Sequence, residues 1–261
     1  MITPFPDMRE VGERIRRAAH VLIGLDYDGT LTPIVDEPAH ALLPTPMRQT
    51  IWALTQRDDI AVTVISGRAH GDLQGLVGIP GLIYAGNHGM EISGPGLSFL
   101  EPGARAAMPE LHALAQEVAR KLHHVPGAIV EDKGLTLSVH HRRVAAMDGE
   151  DVWRIVHGAV TPVRDRFHIT LGNKVFEVRP LVRWNKGSAL AWIKAQINKP
   201  DTAVIYIGDD TTDEDAFRAL GEDAVTIRVG DHAKTAARHR LADPAAVQQF
   251  LQWIIDLRQG D

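Results

Sequence analysis

The 261-residue sequence has no cysteine, so neither a disulfide framework nor a thiolate metal site is open to it. A positive excess is missing too: 28 Lys and Arg stand against 33 Asp and Glu, a formal charge of -5. A balance of that sign argues against a broad nucleic-acid or anionic-membrane footprint while leaving room for a local basic site. No apolar run approaches the length that spans a bilayer. The first residues carry Pro4 and Pro6 and then the charged segment Met8 to Arg17, with no apolar core of signal-peptide length, so a cytoplasmic protein is expected. Internal repeats and low-complexity tracts are also lacking. With 44% hydrophobic and 23% charged residues, the composition is that of an ordinary globular chain able to bury a substantial core, in one large domain or two modest ones.

What is present is organised around Leu25-Asp26-Tyr27-Asp28-Gly29-Thr30-Leu31. The apolar run Val21 to Leu25 leads directly into two carboxylates spaced i and i+2, and a Gly-Thr turn follows. Side chains at i and i+2 of a strand share a face, and open parallel α/β sheets bind ligands beyond the carboxyl ends of their strands. Two like charges so placed repel, and they need a cation or a transferable proton between them. An Asp-Gly dipeptide can also close a β-hairpin, but Thr32-Pro33 and Glu37-Pro38 spoil the second strand that a hairpin would need.

Along the chain, a helix-like segment from Met47 to Gln56 precedes the β-branched run Ile60 to Ile65, which ends at Ser66-Gly67-Arg68. A third run, Leu82 to Ala85, leads to Gly86-Asn87-His88-Gly89. Strands alternating with helical patterns predict a parallel sheet. From about Glu91 to Pro180 the texture changes to helix-like stretches and short strands joined by two apparent hairpin turns, Asp132-Lys133-Gly134 and Gly172-Asn173. This predicts an inserted α+β module, residues 91–180, interrupting an α/β domain of residues 1–90 and 181–261. The parallel pattern resumes with a helix from Gly187, a strand Ala203 to Ile207, a strand Ala224 to Val229 and a closing amphipathic segment, Pro244 to Arg258.

A second acidic cluster, Asp209 to Asp215, again follows an apolar strand. Its oxygen ligands suit a hard divalent ion, Mg²⁺ first, although acids also dress helix amino termini. Ser66-Gly67 at a strand end could bind phosphate or could be an ordinary turn. Lys186, at a helix start, could neutralise phosphate charge or simply be solvated. In the inserted module, strand alternation groups Glu131 with Lys133, Thr136, Ser138 and His140 with Arg142, and Glu177 with Arg179. Such a polar face fits either solvent or a sugar read by charge-assisted hydrogen bonds. The adjacent His123-His124 and His140-His141 pairs lack metal-ligand spacing.

The order Asp-Tyr-Asp-Gly-Thr-Leu, Ser-Gly-Arg, Lys-Gly and Gly-Asp-Asp-Thr-Thr-Asp-Glu resembles the haloacid dehalogenase superfamily of phosphotransferases. Adding Gly86-Asn87-His88-Gly89, Val130 to Gly134, Val139 to Arg142 and Phe176 to Pro180, the chain resembles the trehalose-6-phosphate phosphatase family within it. His141 stands where that family often has an aromatic residue. The resemblance implies a Rossmann-like α/β core with a parallel sheet and an inserted α+β cap of the larger, C2 type. It further implies an Mg²⁺-dependent phosphatase acting on trehalose 6-phosphate, with Asp26 as nucleophile and Asp28 as general acid and base. Metal would be held by Asp26, the backbone carbonyl of Asp28 and Asp209, supported by Asp210 and Asp213. Thr30, Ser66, Gly67 and Lys186 would bind phosphate; Arg68, Asn87 and His88 would lie at the seam between core and cap; and Glu131, Lys133, Arg142 and Glu177 would read the sugar. Another sugar phosphate, sucrose 6-phosphate or a glycosyl phosphoglycerate, is the alternative substrate, and an inactive sugar-phosphate sensor is the alternative class. The expected partner is a small molecule, not nucleic acid or membrane. One sequence does not set the oligomeric state, for which a monomer is the default.

Overall fold

A run such as Val21-Leu22-Ile23-Gly24-Leu25 has no polar face to offer solvent, so it is stable only as a strand covered on both sides. The computed structural model, which describes residues 8–35, 37–172, 174–231 and 234–259, buries all five of these residues. In chain order the elements are α1 (Met8–Arg17), β1 (His20–Leu25), α2 (Thr45–Thr55), β2 (Ile60–Ile65), α3 (His70–Val77), β3 (Ile83–Gly86), β4 (Glu91–Gly94) and β5 (Leu97–Leu100). There follow α4 (Pro102–Leu122), β6 (Ile129–Asp132), β7 (Leu137–His140), α5 (Gly149–Val160), β8 (Phe167–Gly172) and β9 (Val175–Pro180). The chain closes with α6 (Lys186–Ile197), β10 (Thr202–Gly208), α7 (Asp213–Leu220), β11 (Ala224–Val229), β12 (His239–Leu241) and α8 (Pro244–Gln259).

The chain divides into two compact units, Met1–Phe99 with Trp184–Asp261, and Leu100–Arg183. In the first, the sheet order is β12-β11-β10-β1-β2-β3-β4-β5, parallel from β12 to β3. The chain steps outward from β1 through β2 and β3, and later in the other direction from β10 through β11 and β12. The topological switch point therefore lies between β1 and β10. Two apolar clusters cover the sheet. One joins Ile23, Leu25, Val62 and Ile205 to Ile51, Leu54, Phe250 and Ile254; the other joins Leu22, Val204 and Tyr206 to Leu190, Ile193 and Phe217. The charged segment Met8–Arg17 is a helix, α1, that buries Val11 and Ile15 and packs against α8.

The unit boundaries differ from those expected at 90/91 and 180/181, falling at 99/100 and 183/184. Glu91–Gly94 pairs antiparallel with β3, Ala85 opposite Ile92, and so extends the first sheet. A four-residue strand does not announce its partner in sequence.

The second unit is a four-stranded antiparallel sheet, β6-β7-β9-β8. Leu137, Val139, Val178 and Phe167 on one face pack against Leu111, Leu114 and Val118 of α4 and Val152 and Val156 of α5. Helix α4 starts at Pro102, where the Glu101 side chain accepts from the Ala104 N–H. The Asp132-Lys133-Gly134 turn does join β6 to β7, closed by Lys133 N–H donating to Thr136 O at 2.9 Å. β8 and β9 pair antiparallel around the second expected turn, whose Asn173 lies outside the described residues. No helix among the described residues is long and apolar enough to cross a membrane.

Candidate active site

Strand β1 ends in the first acidic stretch. The Asp26 N–H continues the ladder to Ile207 O of β10 at 2.9 Å, which sets its side chain at the switch point. Two glycines make the space that the acids occupy. Gly29 has φ of 83°, and a Cβ there would stand 2.1 Å from Asp209 Oδ2; a Cβ on Gly208 would stand 2.2 Å from the Asp213 carboxyl carbon. The Asp-Gly and Gly-Asp pairs are thus steric requirements of bringing carboxylates from two strand ends together.

Asp26, Asp209 and Asp213 each place a carboxylate oxygen within 4.8 Å of the others. The Lys186 ammonium, carried at the first position of α6 by an Asn185 cap that accepts from Ser188 N at 2.9 Å, donates to Asp26 Oδ1 at 2.6 Å and Asp213 Oδ1 at 2.7 Å. Asp213 also accepts from the Tyr206 hydroxyl at 2.7 Å and from Asp210 N at 2.9 Å. Thr30 Oγ1 lies 3.5 Å from Asp209 Oδ1. Burial pushes the Asp26 carboxyl up, Lys186 pulls it back, and Asp213 and Asp209 push it up again, leaving it well above the ordinary carboxylate range. Burial, Asp213 and Asp210 raise Asp209 to about 7 against the opposing pull of Lys186. Burial alone would lower Lys186, but Asp213 and Asp26 outweigh it and hold it charged. Three carboxyl groups facing one ammonium in a largely buried space resist ionising together unless a further cation joins them. An all-oxygen donor set with that need fits a hard divalent cation.

The other expected residues of the first unit lie around this trio. Asp28 turns its carboxylate to Arg68, which donates from Nε at 2.7 Å and Nη2 at 2.6 Å and stands 5.3 Å over the Tyr27 ring. Ser66 is buried, and its Oγ accepts from Arg68 N at 3.2 Å. Asn87 and His88 are buried at left-handed φ of 49° and 58°, with the His88 ring filling the space where a Gly67 side chain would begin. Asp210 does not join the trio: its side chain is exposed and caps Thr211 N at 2.6 Å. Sequence spacing could not separate Asp210 from Asp213, because which carboxylate turns inward depends on Lys186 and Tyr206, neither adjacent in the chain.

In the second unit, cross-strand register aligns Glu131, Ser138, Glu177 and Thr170 in one row over all four strands. Lys133 Nζ donates to Glu177 Oε1 at 3.3 Å, and Glu131 Oε2 lies 2.8 Å from His140 Nε2. Arg142 falls beyond β7, which ends at His140, and is exposed. His141 stacks on Phe176 with ring centroids 4.3 Å apart, so imidazole fills the aromatic position there.

Sequence reasoning passed over Tyr206 and Arg228. Both lie in apolar strand runs, and the one available signal was that strands buried on both faces should not hold polar groups without partners.

Residues 24–245 match the family model described as trehalose-phosphatase. The chain is 32% identical over 276 residues to probable trehalose-phosphate phosphatase D of Arabidopsis thaliana, covering 99% of this chain and 72% of that one. It is 38% identical over 235 residues to the trehalose-phosphate phosphatase of Mycobacterium marinum, covering 86% of this chain and 59% of that longer one. Among solved structures, the C-terminal domain of C. albicans trehalose-6-phosphate phosphatase shares the fold, with TM-score 0.81 at 23% identity over 97% of this chain and 98% of that domain.

Proposed function

The chain belongs to the trehalose-phosphatase family, and from that premise we propose that it hydrolyses trehalose 6-phosphate to trehalose and inorganic phosphate in two displacements. The observation that carries this reading is the buried meeting of Asp26, Asp209 and Asp213 with Lys186 beyond β1 and β10. In the first displacement an Asp26 carboxylate oxygen attacks phosphorus, and the bond from phosphorus to the sugar oxygen breaks as the aspartyl-phosphate forms. Asp28 gives its proton to the departing sugar oxygen. In the second displacement Asp28 takes a proton from the attacking water, the bond between Asp26 and phosphorus breaks, and phosphate leaves with both carboxyl groups restored. Both Asp28 oxygens accept from Arg68, which orients the carboxyl while leaving each oxygen a second lone pair for the proton.

Asp26, Asp209 and the Asp28 carbonyl would hold Mg²⁺, which when bound supplies positive charge against the transferring phosphoryl group. Asp213, whose oxygens already accept from Lys186, Tyr206 and Asp210, would orient Lys186 and the loop. Thr30, Ser66, the Gly67 N–H and Lys186 would donate to phosphoryl oxygens as charge spreads over them. In the inserted unit Glu131, Lys133, Arg142 and Glu177 would read sugar hydroxyls; in the first unit Arg68, Asn87 and His88 would bind substrate. A charged sugar phosphate does not cross a bilayer unaided, so the enzyme would act in the compartment that holds its substrate, which this reading takes to be the cytoplasm.

Phosphate release across a panel of trehalose 6-phosphate, sucrose 6-phosphate, a glucosyl phosphoglycerate and p-nitrophenyl phosphate tests the reading. Preference for trehalose 6-phosphate, lost in EDTA and restored by Mg²⁺, is expected. Preference for another sugar would overturn the substrate, and full activity in metal-stripped buffer would overturn the metal.

A further inference from the structure

Arg228 lies near the carboxyl end of β11, next to the edge strand β12, yet only 2% of its surface is exposed. A guanidinium in a strand covered on both faces is costly unless paired, and a buried ion pair is weak evidence for stability in itself. Its contacts indicate another use. Arg228 stands opposite Gly208 in the β10–β11 register, beside the point where the acidic loop leaves the sheet. Its Nη1 donates to Asp210 O at 2.9 Å and to Glu214 Oε1 at 3.1 Å. The Asp210 backbone is thus held from both ends, its N–H by Asp213 Oδ2 and its carbonyl by Arg228. Glu214 is fixed in turn, its Oε2 accepting from Ala236 N at 2.8 Å, while Arg218 reaches it only at 4.0 Å from an exposed position. None of these bonds satisfies Arg228 Nε, which is buried and finds no partner among the described residues; the contacts to Asp210 and Glu214 both come from Nη1.

We infer that Arg228 is a positioning residue for cation binding: it clamps the Asp210 peptide and cancels the Glu214 charge, so that Asp209 is presented to a single divalent ion by a loop of fixed shape and charge. The inference rests on the metal reading above. Without Arg228, the Asp210 carbonyl would lose that donor and Glu214 would keep only the Ala236 N–H, leaving its charge unneutralised beside the acidic loop and the loop free to shift. Groups that orient metal ligands from behind typically affect affinity by about 10–100-fold.

The test is isothermal titration calorimetry of the intact protein with Mg²⁺, alongside circular dichroism and thermal midpoints. Arg228→Met is expected to raise the Mg²⁺ dissociation constant by about tenfold or more. Arg228→Lys, which keeps the charge and loses the fork, should fall between Arg228→Met and the parent. A folded Arg228→Met protein with the parent's Mg²⁺ affinity overturns the inference, and so does a lowered thermal midpoint without an affinity change. Should Arg228→Met not fold, Arg228→Gln keeps polar donors and removes the charge, and the same criterion applies to it. A parent protein that binds no Mg²⁺ would overturn both this inference and the metal reading, whereas a binding parent with an unaffected variant overturns this one alone.

Discussion

The two units put charge on a sheet in opposite ways. In the first, a parallel sheet is covered on both faces, and most of its functional candidates gather beyond the carboxyl ends of its strands, where Asp26 keeps only 7% of its side chain exposed and bonds a buried lysine. In the second, an antiparallel sheet covers one face with α4 and α5 and carries its polar residues along the other. There Glu131 and its partner His140 keep 33% and 25% of their side chains exposed. A parallel sheet has no free face to spend on ligands, so it concentrates chemistry at a point, desolvated and sensitive to every charge. An antiparallel sheet whose second face is polar spreads contacts along a row, from the part-exposed Glu131–His140 pair to Lys133 and Glu177, whose side chains keep 10% and 12% exposed. On the proposed reading, the division suits bond-breaking at one centre and recognition over a larger, hydroxyl-rich surface.

That contrast can be broken by substitution. The largest effect is expected at Asp26: Asp26→Asn removes the proposed nucleophile, and turnover should fall by about 10⁴-fold or more with every substrate. Mass spectrometry of quenched reactions should find no covalent phosphate, and a phosphorylated Asp26→Asn protein would place the nucleophile elsewhere. Next, Lys186→Ala strips Asp26 and Asp213 of their shared cation. Breaking a buried pair in this way costs about 3–5 kcal/mol, which urea denaturation should read, and trehalose 6-phosphate and p-nitrophenyl phosphate turnover should drop together.

The inserted sheet should respond differently. Glu131→Ala, Lys133→Ala and Glu177→Ala each leave sugar hydroxyls or a neighbouring side chain without a partner, a loss of about 1–3 kcal/mol per group. Trehalose 6-phosphate turnover should fall accordingly while p-nitrophenyl phosphate stays near the parent rate. Equal effects on both substrates would erase the distinction between the units.

The smallest effect is expected at Asp59, in the first unit but at the opposite end of β2 from the acids. Burial would raise its carboxyl, but hydrogen bonds from Arg57 and Arg258, with their charges, outweigh that and hold it below the ordinary range. A depressed pKa stabilises the fold above the unfolded value, and the contribution disappears as pH falls through the folded value. Asp59→Asn should therefore cost up to about 1 kcal/mol at pH 7, with the gap in thermal midpoint closing below about pH 4. Turnover should not change.

Much of the first unit could be read directly because its strands are continuous apolar runs punctuated by acids and glycine. Val21 to Leu25 before Asp26, and Ala203 to Ile207 before Gly208-Asp209, signal both strand and site. The short strands β4 and β12 have four and three residues, too short for periodicity, and exist because a neighbouring strand offers an unpaired edge. In the inserted unit alternation identified the polar face, but Arg142 was assigned to it by extending β7 two residues too far.

What the sequence determined by itself is therefore the chemistry at hand and its order along the chain. Carboxylates follow strands, a lysine opens a helix, and glycines stand where nothing larger fits; these are local requirements written in adjacent residues. The tertiary structure decided which carboxylates face each other. Asp213 turns inward and Asp210 outward because Lys186 and Tyr206, 27 and 7 positions from Asp213 in the chain, supply donors for one and not the other. Arg228 could not be told from an ordinary strand residue until the fold placed Asp210 and Glu214 within reach of one guanidinium. Hydrogen bonds between distant segments have no sequence period, since their partners are chosen by the packing that buries them.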